Sequence, residues 1–279
     1  CKGDVGGDIL CGGGIQTAGN AGTSIQCSGG IQIAGNAGIY IRCNTGTQTA
    51  GNAGTSIECN TGTQTAGNAG THIYCSGGTQ IAGNAGTFIL CNGGGTQTAG
   101  NAGISIQCSG GTQTAGNAGT SIQCDGGTQT AGNAETFIYC NGGTQTINNA
   151  NTSYDGTIHP PIYLSDAGSL IINNSRIEST ESGAEVVEFD ASWSGTFIAN
   201  NCGFVNTTAS SKGISYGATS DRNIQLKNCT IITGAGGVSI DAPSAQTVYI
   251  QGVLNTTHAL DADIDWFGMD PIIDPGFNF

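Results

Sequence analysis

The sequence predicts an all-β chain: a parallel β-solenoid of short sixteen-residue coils, followed by a wider solenoid with coils of about 27 residues. Three observations predict it. Cysteine recurs every sixteen residues at Cys11, Cys27, Cys43, Cys59, Cys75, Cys91, Cys108, Cys124 and Cys140, with one step of seventeen where an extra glycine enters among Gly93, Gly94 and Gly95. A second period follows, in which Ser175, Cys202 and Cys229 fall twenty-seven apart. Glycine supplies 49 of the 279 residues against five prolines, so corners are frequent and chain breaks rare. Fixed short periods of this kind mark stacked repeats.

From Cys108 the short unit reads CSGGTQTAGNAGTSIQ: two runs, TQTA and TSIQC, separated by glycine-rich corners. Sixteen residues are too few for a helical hairpin. They suit one coil with two strands of about five residues and two tight turns, stacked on the next coil at about 4.8 Å. No single coil buries a core, so stability must come from the stack. The extra glycine keeps the repeat in phase, which places it in a turn.

Alternate residues of a strand face opposite sides. In the second strand the neighbours of isoleucine vary: Ser24, Tyr40, Ser56, His72, Phe88, Ser105, Ser121 and Phe137 before it, Gln26, Arg42, Glu58, Tyr74, Leu90, Gln107, Gln123 and Tyr139 after it. These face outward. Ile25, Ile41, Ile57, Ile73, Ile89, Ile106, Ile122 and Ile138 do not change, and with the cysteines they form inward columns. In the first strand the unchanging residues are glutamine, alanine and asparagine, as in Gln48, Ala50 and Asn52. They are read as inward too, which adds Asn20, Asn36, Asn52, Asn68, Asn84, Asn101, Asn117 and Asn133 to the core, their amides bonded from coil to coil. The flanking threonines are then outside, with isoleucine at Ile15, Ile31, Ile33 and Ile81.

The formal net charge is −13 with only six lysines and arginines, which excludes an electrostatic footprint for nucleic acid or anionic lipid. No apolar run reaches the length of a membrane-spanning helix. Twelve cysteines in an acidic Thr/Ser/Asn-rich chain point to an exported protein at the cell surface or beyond. In-register cysteines stand near disulfide range, yet their Cβ atoms are slightly too far apart without twist, so free thiols and pairwise bridges both stay open. A one-dimensional column offers no tetrahedral metal cluster, and no cofactor is expected. Cys1 lies off the period; it is a lipid-bearing first residue, a partner for another cysteine, or simply the first residue.

In chain order, the short repeat occupies residues 1–150 and ends at TQTINNAN, where Ile147 replaces alanine. Residues 151–165, with the Pro160–Pro161 pair, read as a connector rather than a strand stack. Residues 166–279 form the wider part, with phrases LIINNSRI at 170–177, FIANNCGF at 197–204, IQLKNCTI at 224–231 and VYIQGVLN at 248–255. Asn before a small residue, with a β-branched or aromatic residue two beyond, resembles right-handed parallel β-helix proteins of the pectate-lyase-like architecture. That resemblance implies a fold, since the architecture carries lyases, hydrolases, phage spikes and non-catalytic surface proteins. At the end, Trp266, Phe267, Phe277 and Phe279, without a continuing β period, suit a lid or a plug for a neighbouring subunit. Asp261, Asp263 and Asp265 are candidate calcium ligands or acids on a solvated edge.

Three functions follow for weighing. A polysaccharide lyase needs clustered cations, and the long-coil part has only Arg176, Lys212, Arg222 and Lys227, scattered. A hydrolase needs carboxylates on neighbouring coils; Glu178, Glu181, Glu185, Glu188 and Asp190 fall in what reads as a loop excursion, and polygalacturonase-like signatures are missing. The chain is therefore expected not to be an enzyme, although contact with a polysaccharide or cell surface, as an adhesin makes, remains open. The GTQTAG phrase resembles the repeats of bacterial ice-nucleation proteins, whose outward Thr-x-Thr rows order water. Thr47/Thr49, Thr63/Thr65, Thr96/Thr98, Thr112/Thr114, Thr128/Thr130 and Thr144/Thr146 match such a row, while cysteine and Gly-Asn-Ala stand where that family has Tyr- and Ser-rich turns. The favoured reading is structural: a subunit of a self-assembling extracellular filament, joined head to tail, with Tyr40, Tyr74, Phe88, Leu90, Phe137 and Tyr139 as its assembly surface.

Overall fold

The computed structural model describes residues 3–154, 160–217, 223–242, 246–258, 260, 264–268 and 272–273. Among them every strand pairing is parallel, and no helix is long and apolar enough to cross a membrane. The chain is an all-β parallel solenoid. It forms two compact units, Cys1–Gly119 with Asp125–Thr130, and Thr120–Cys124 with Ala131–Phe279.

In the first unit a coil pairs a three-residue strand such as Thr63–Thr65 with a four-residue strand such as Ser56–Cys59, and in Ser105–Thr114 the two run together as one strand. Register is unbroken: Ile25 pairs with Ile41, Ile41 with Ile57, Ile57 with Ile73, and Ile73 with Ile89. Ile25 through Ile106 and Cys27 through Cys108 are fully buried in these columns. The cysteines are free thiols whose sulfurs approach backbone carbonyls, as Cys59 Sγ does Gly62 O at 3.3 Å. Burial pushes the Cys27 thiol above its ordinary pKa.

Glutamine is the inward residue of the other strand. Gln32 donates to Gln16 at 3.0 Å, Gln48 to Gln32 at 2.7 Å, and Gln64 to Gln48 and Gln80 to Gln64 at 2.8 Å. The chain of amides runs on through Gln97, Gln113 and Gln129, each bond 2.7 Å. Burying an amide without partners is costly; here the next rung supplies them.

The asparagines depart from expectation. Asn20, Asn36, Asn52, Asn68, Asn84, Asn101 and Asn117 are exposed, and Asn133 of the second unit is half-buried. Ala50, the other expected inward residue, is also only half-buried. Alternation holds within T-Q-T alone, because the chain turns at Ala50–Gly51 and parity lapses beyond the strand. The inward residue of that corner is the second alanine, so that Ala21, Ala37, Ala53, Ala69, Ala85 and Ala102 form a buried bridged column. Each asparagine serves the corner instead: Asn36 N–H donates to Asn20 Oδ1 at 2.8 Å, and Asn52 N–H to Asn36 Oδ1 at 2.7 Å.

In the second unit Ile122 pairs with Ile138 and Cys124 with Cys140. Register offsets then lengthen, Ile138 pairing with Ile162, Ile162 with Val187, Val187 with Ile214, and Ile214 with Ile240. The repeated phrases share one register, with Leu170 paired to Phe197, Phe197 to Ile224 and Ile224 to Val248. Phe189 stacks on Trp193 at 4.3 Å and meets Phe197 edge-on at 5.3 Å in a core that also buries Phe204, Cys202 and Cys229. The asparagine of each phrase has a purpose: Asn174, Asn201 and Asn228 take positive φ of 49°, 54° and 51°, and Gly252 takes 73°. Asparagine tolerates that left-handed turn and hydrogen-bonds locally, Asn201 Nδ2 reaching Asn174 Oδ1 at 3.0 Å.

Three expectations need correction. The stretch 151–165 is not a plain connector, since Asn151–Tyr154 and Ile162–Ser165 are strands that pair within the stack. The excursion expected around Glu185 is the strand Glu185–Phe189, which the outward acids share with inward Val187 and Phe189. The aromatic tail does not leave the β period at once: Ile264–Gly268 pairs with Gln246–Thr256, bringing the backbone of Asp265, Trp266 and Phe267 into the stack. Only the backbone of those three is described, and Cys1, Asp261, Asp263, Phe277 and Phe279 lie outside the described residues.

Candidate functional site

The most regular outward surface of the first unit is built by its three-residue strands. From Ile31–Ile33 onward each shows one pattern, central glutamine buried and flanking residues exposed, as in Thr47–Thr49, Thr63–Thr65 and Thr96–Thr98; in Ile15–Thr17 the glutamine is half-buried. Register carries the flanks into two columns. Ile15, Ile31, Thr47, Thr63, Thr79, Thr96 and Thr112 form one. Thr17, Ile33, Thr49, Thr65, Ile81, Thr98 and Thr114 form the other.

Neighbours along a column stand about 4.8 Å apart, and the two residues of one strand roughly 6.6 Å apart. The result is a lattice of methyl and hydroxyl groups in two dimensions. β-Branched side chains have few χ1 rotamers, so the groups are held rather than swept. Beneath them the glutamine chain fixes every rung to the next. No position of either column is charged, although the chain carries −13 overall. Where isoleucine interrupts the rows it keeps the methyl and loses the hydroxyl. All four isoleucines are exposed, Ile15 by 79%.

A third outward column escaped sequence reasoning. Thr23, Ile39, Thr55, Thr71, Thr87 and Ile104 follow one another where the asparagine corner leads into the next strand, joined by backbone bonds of 2.7–2.9 Å from Ile39 N to Thr23 O up to Ile104 N to Thr87 O. The same Thr/Ile exchange at one position of the repeat was its signal.

The expected aromatic surface is less open. In the first unit Phe88 is 38% exposed and stacks on His72 at 5.4 Å, whereas Tyr40, Tyr74 and Leu90 are half-buried. Tyr40 lies beneath Arg42, which is bound to Glu58 at 2.7 Å. His72, Tyr74, Phe88 and Leu90 line a recess of about 510 Å³ with Glu58 and Gln107 at its rim. In the second unit Phe137 and Tyr139 are half-buried, and Tyr139 stacks on Tyr163 at 5.6 Å.

The described groups weighed for catalysis are spread through the second unit, and Arg222 lies outside the described residues. Lys212 is held by Asp241 at 2.8 Å and Glu185 at 3.5 Å, and Arg176 meets Glu178 at 3.4 Å. Burial, then the charges of Glu185 and Asp190, keeps Glu188 above the usual carboxylate range. Hydrogen bonds from the Ser192 hydroxyl, the Ser192 backbone N–H and the Tyr163 hydroxyl hold Asp190 below it. Lys227 is exposed in a polar groove of about 790 Å³ with Asn200, Gln225, Tyr249 and Gln251. Among the described residues no three potential metal ligands converge. Asn206, which opens an Asn-x-Thr triplet, is fully buried, its amide donating to Glu181 O and Ala184 O.

No family model, curated protein or solved structure matches the chain.

Proposed function

We propose that the first unit binds ice through the two Thr and Ile columns. The observation that carries this reading is the combination of exposure, unbroken register and absence of charge over seven successive strands. Water bound at such a face finds hydroxyls to bond and methyls to pack against at spacings close to repeats of the ice lattice. A charged face would instead bind water in orientations that ice rejects. The rigid rungs matter equally, because a lattice match is lost if side chains must first be ordered. A face that meets ice operates outside the cell, so export belongs to this reading.

Thermal hysteresis or a raised freezing point is the expected property. Thr112→Lys combined with Thr114→Lys should remove most of it while leaving the melting curve in place, since surface changes of this kind cost about 0.5 kcal/mol or less. Equal activity in the variant would sink the proposal.

A second reading, assembly into a filament, is favoured by the recess around exposed Phe88, an apolar surface suited to another copy. Phe88→Glu should then turn long threads seen by negative-stain microscopy into dispersed particles. Dispersed particles in the wild type at high concentration would dismiss it.

A further inference from the structure

The ice face leaves the largest set of metal-ligating side chains unused. Cys11, Cys27, Cys43, Cys59 and Cys75 form one buried cluster, and the column continues in register through Cys91 and Cys108. None of the seven is in a disulfide. Parallel strands set neighbouring sulfurs about 4.8 Å apart. A disulfide needs its Cβ atoms at about 3.8 Å, so the ladder stays reduced unless rungs shift. The contacts that hold the thiols are long: Cys43 Sγ to Thr63 O at 3.6 Å, Cys75 Sγ to Thr96 O at 3.8 Å.

A zinc–thiolate bond is about 2.3 Å, so an ion midway between two rungs would meet one sulfur on each side at roughly 2.4 Å. No third ligand converges there among the described residues, which disfavours the tetrahedral set of zinc. A linear S–M–S arrangement remains, the geometry taken by soft monovalent ions with thiolate ligands. Glycines of the neighbouring rung lie against the thiols. A Cβ added at Gly62 would stand 2.6 Å from Cys43 Sγ, and one at Gly95 2.7 Å from Cys75 Sγ, so the glycine of the next rung leaves these sulfurs room that a side chain would fill.

We propose that the cysteine column is a two-coordinate site for Cu(I)-class ions, each bridging the sulfurs of adjacent rungs. The step is M⁺ + 2 RSH → [RS–M–SR]⁻ + 2 H⁺: two S–H bonds break, two S–M bonds form, and no oxidation state changes. One negative charge remains per ion, which limits filling to alternate gaps. The column Cys11–Cys108 then takes three ions. This proposal stands apart from the ice reading, since it concerns the inward side of the other strand.

The test is anaerobic titration of the folded full chain with silver nitrate in chloride-free buffer, repeated with Cu(I) in acetonitrile-containing buffer. Expected are a sulfur-to-metal absorption band that saturates, two protons released per ion, an unchanged far-ultraviolet strand signal and a higher melting temperature. Cys59→Ser with Cys75→Ser should lower the uptake by one ion, since Cys11, Cys27 and Cys43 can then seat one ion between them and Cys91 with Cys108 a second. Should that variant not fold, the wild type decides alone. The proposal is overturned if the folded wild type takes up no ion, takes it only as the strand signal collapses, or releases fewer than two protons per ion.

Discussion

Ile89→Asp is expected to abolish the cooperative melting of the first unit. Ile89 is fully buried, paired in register with Ile73 on one side and Ile106 on the other. The substitution removes a packed side chain, worth about 2–5 kcal/mol by analogy with large-to-small core changes. It also places an acid among isoleucines and thiols with no partner, which adds several kcal/mol more. Domains are stable by about 5–15 kcal/mol, so the sum approaches the whole. Circular dichroism melts would show it, with Ile89→Leu as the control, costing less than about 1.5 kcal/mol. A melt of Ile89→Asp matching the wild type would mean that this side chain faces water.

Gly70→Ala is the second large effect, and it arises from backbone contact. The corner glycines Gly22, Gly38, Gly54, Gly70, Gly86 and Gly103 stack so closely that a Cβ at Gly70 would overlap the carbonyl group of Gly54. The obstacle is main chain in a repeating stack, so no side chain can swing away. Overpacking of that kind costs about 3 kcal/mol or more. Gly13→Ala provides the contrast: nothing lies within 4 Å of its Cβ position and its φ is not positive. There the change should be neutral or stabilising by up to about 1 kcal/mol, through the unfolded state. Melting temperatures of the two variants should diverge, and coincidence would show that the corner can open.

The isoleucine and cysteine columns were legible because both sit inside a strand, where one invariant residue in two suffices to assign a side. The Thr and Ile face was legible for the same reason. Asparagine misled because its neighbours, Gly51 and Ala53 in one coil, mark a corner, and the two-residue rule has no force across a corner. Invariance there reflects the side-chain oxygen that caps the next rung's N–H rather than burial. Pro160–Pro161 misled similarly: proline signals a break, yet Pro161 O accepts from Ile138 N–H at 2.8 Å and the strand begins at the following residue. The asparagines before Ser175, Cys202 and Cys229 were visible as a motif, but their left-handed backbone needed coordinates.

The glutamine chain gives the first unit a direction. Every amide from Gln32 to Gln129 donates toward the lower-numbered rung, so seven side-chain dipoles point one way, as peptide groups do along a helix. Donor hydrogens gather at one extremity of this file and acceptor oxygens at the other. Reversing a single amide would set oxygen against oxygen on one side and hydrogen against hydrogen on the other, so the file must flip as a whole or not at all. Such an all-or-none wire makes local fraying expensive in the middle and cheap only at its tips.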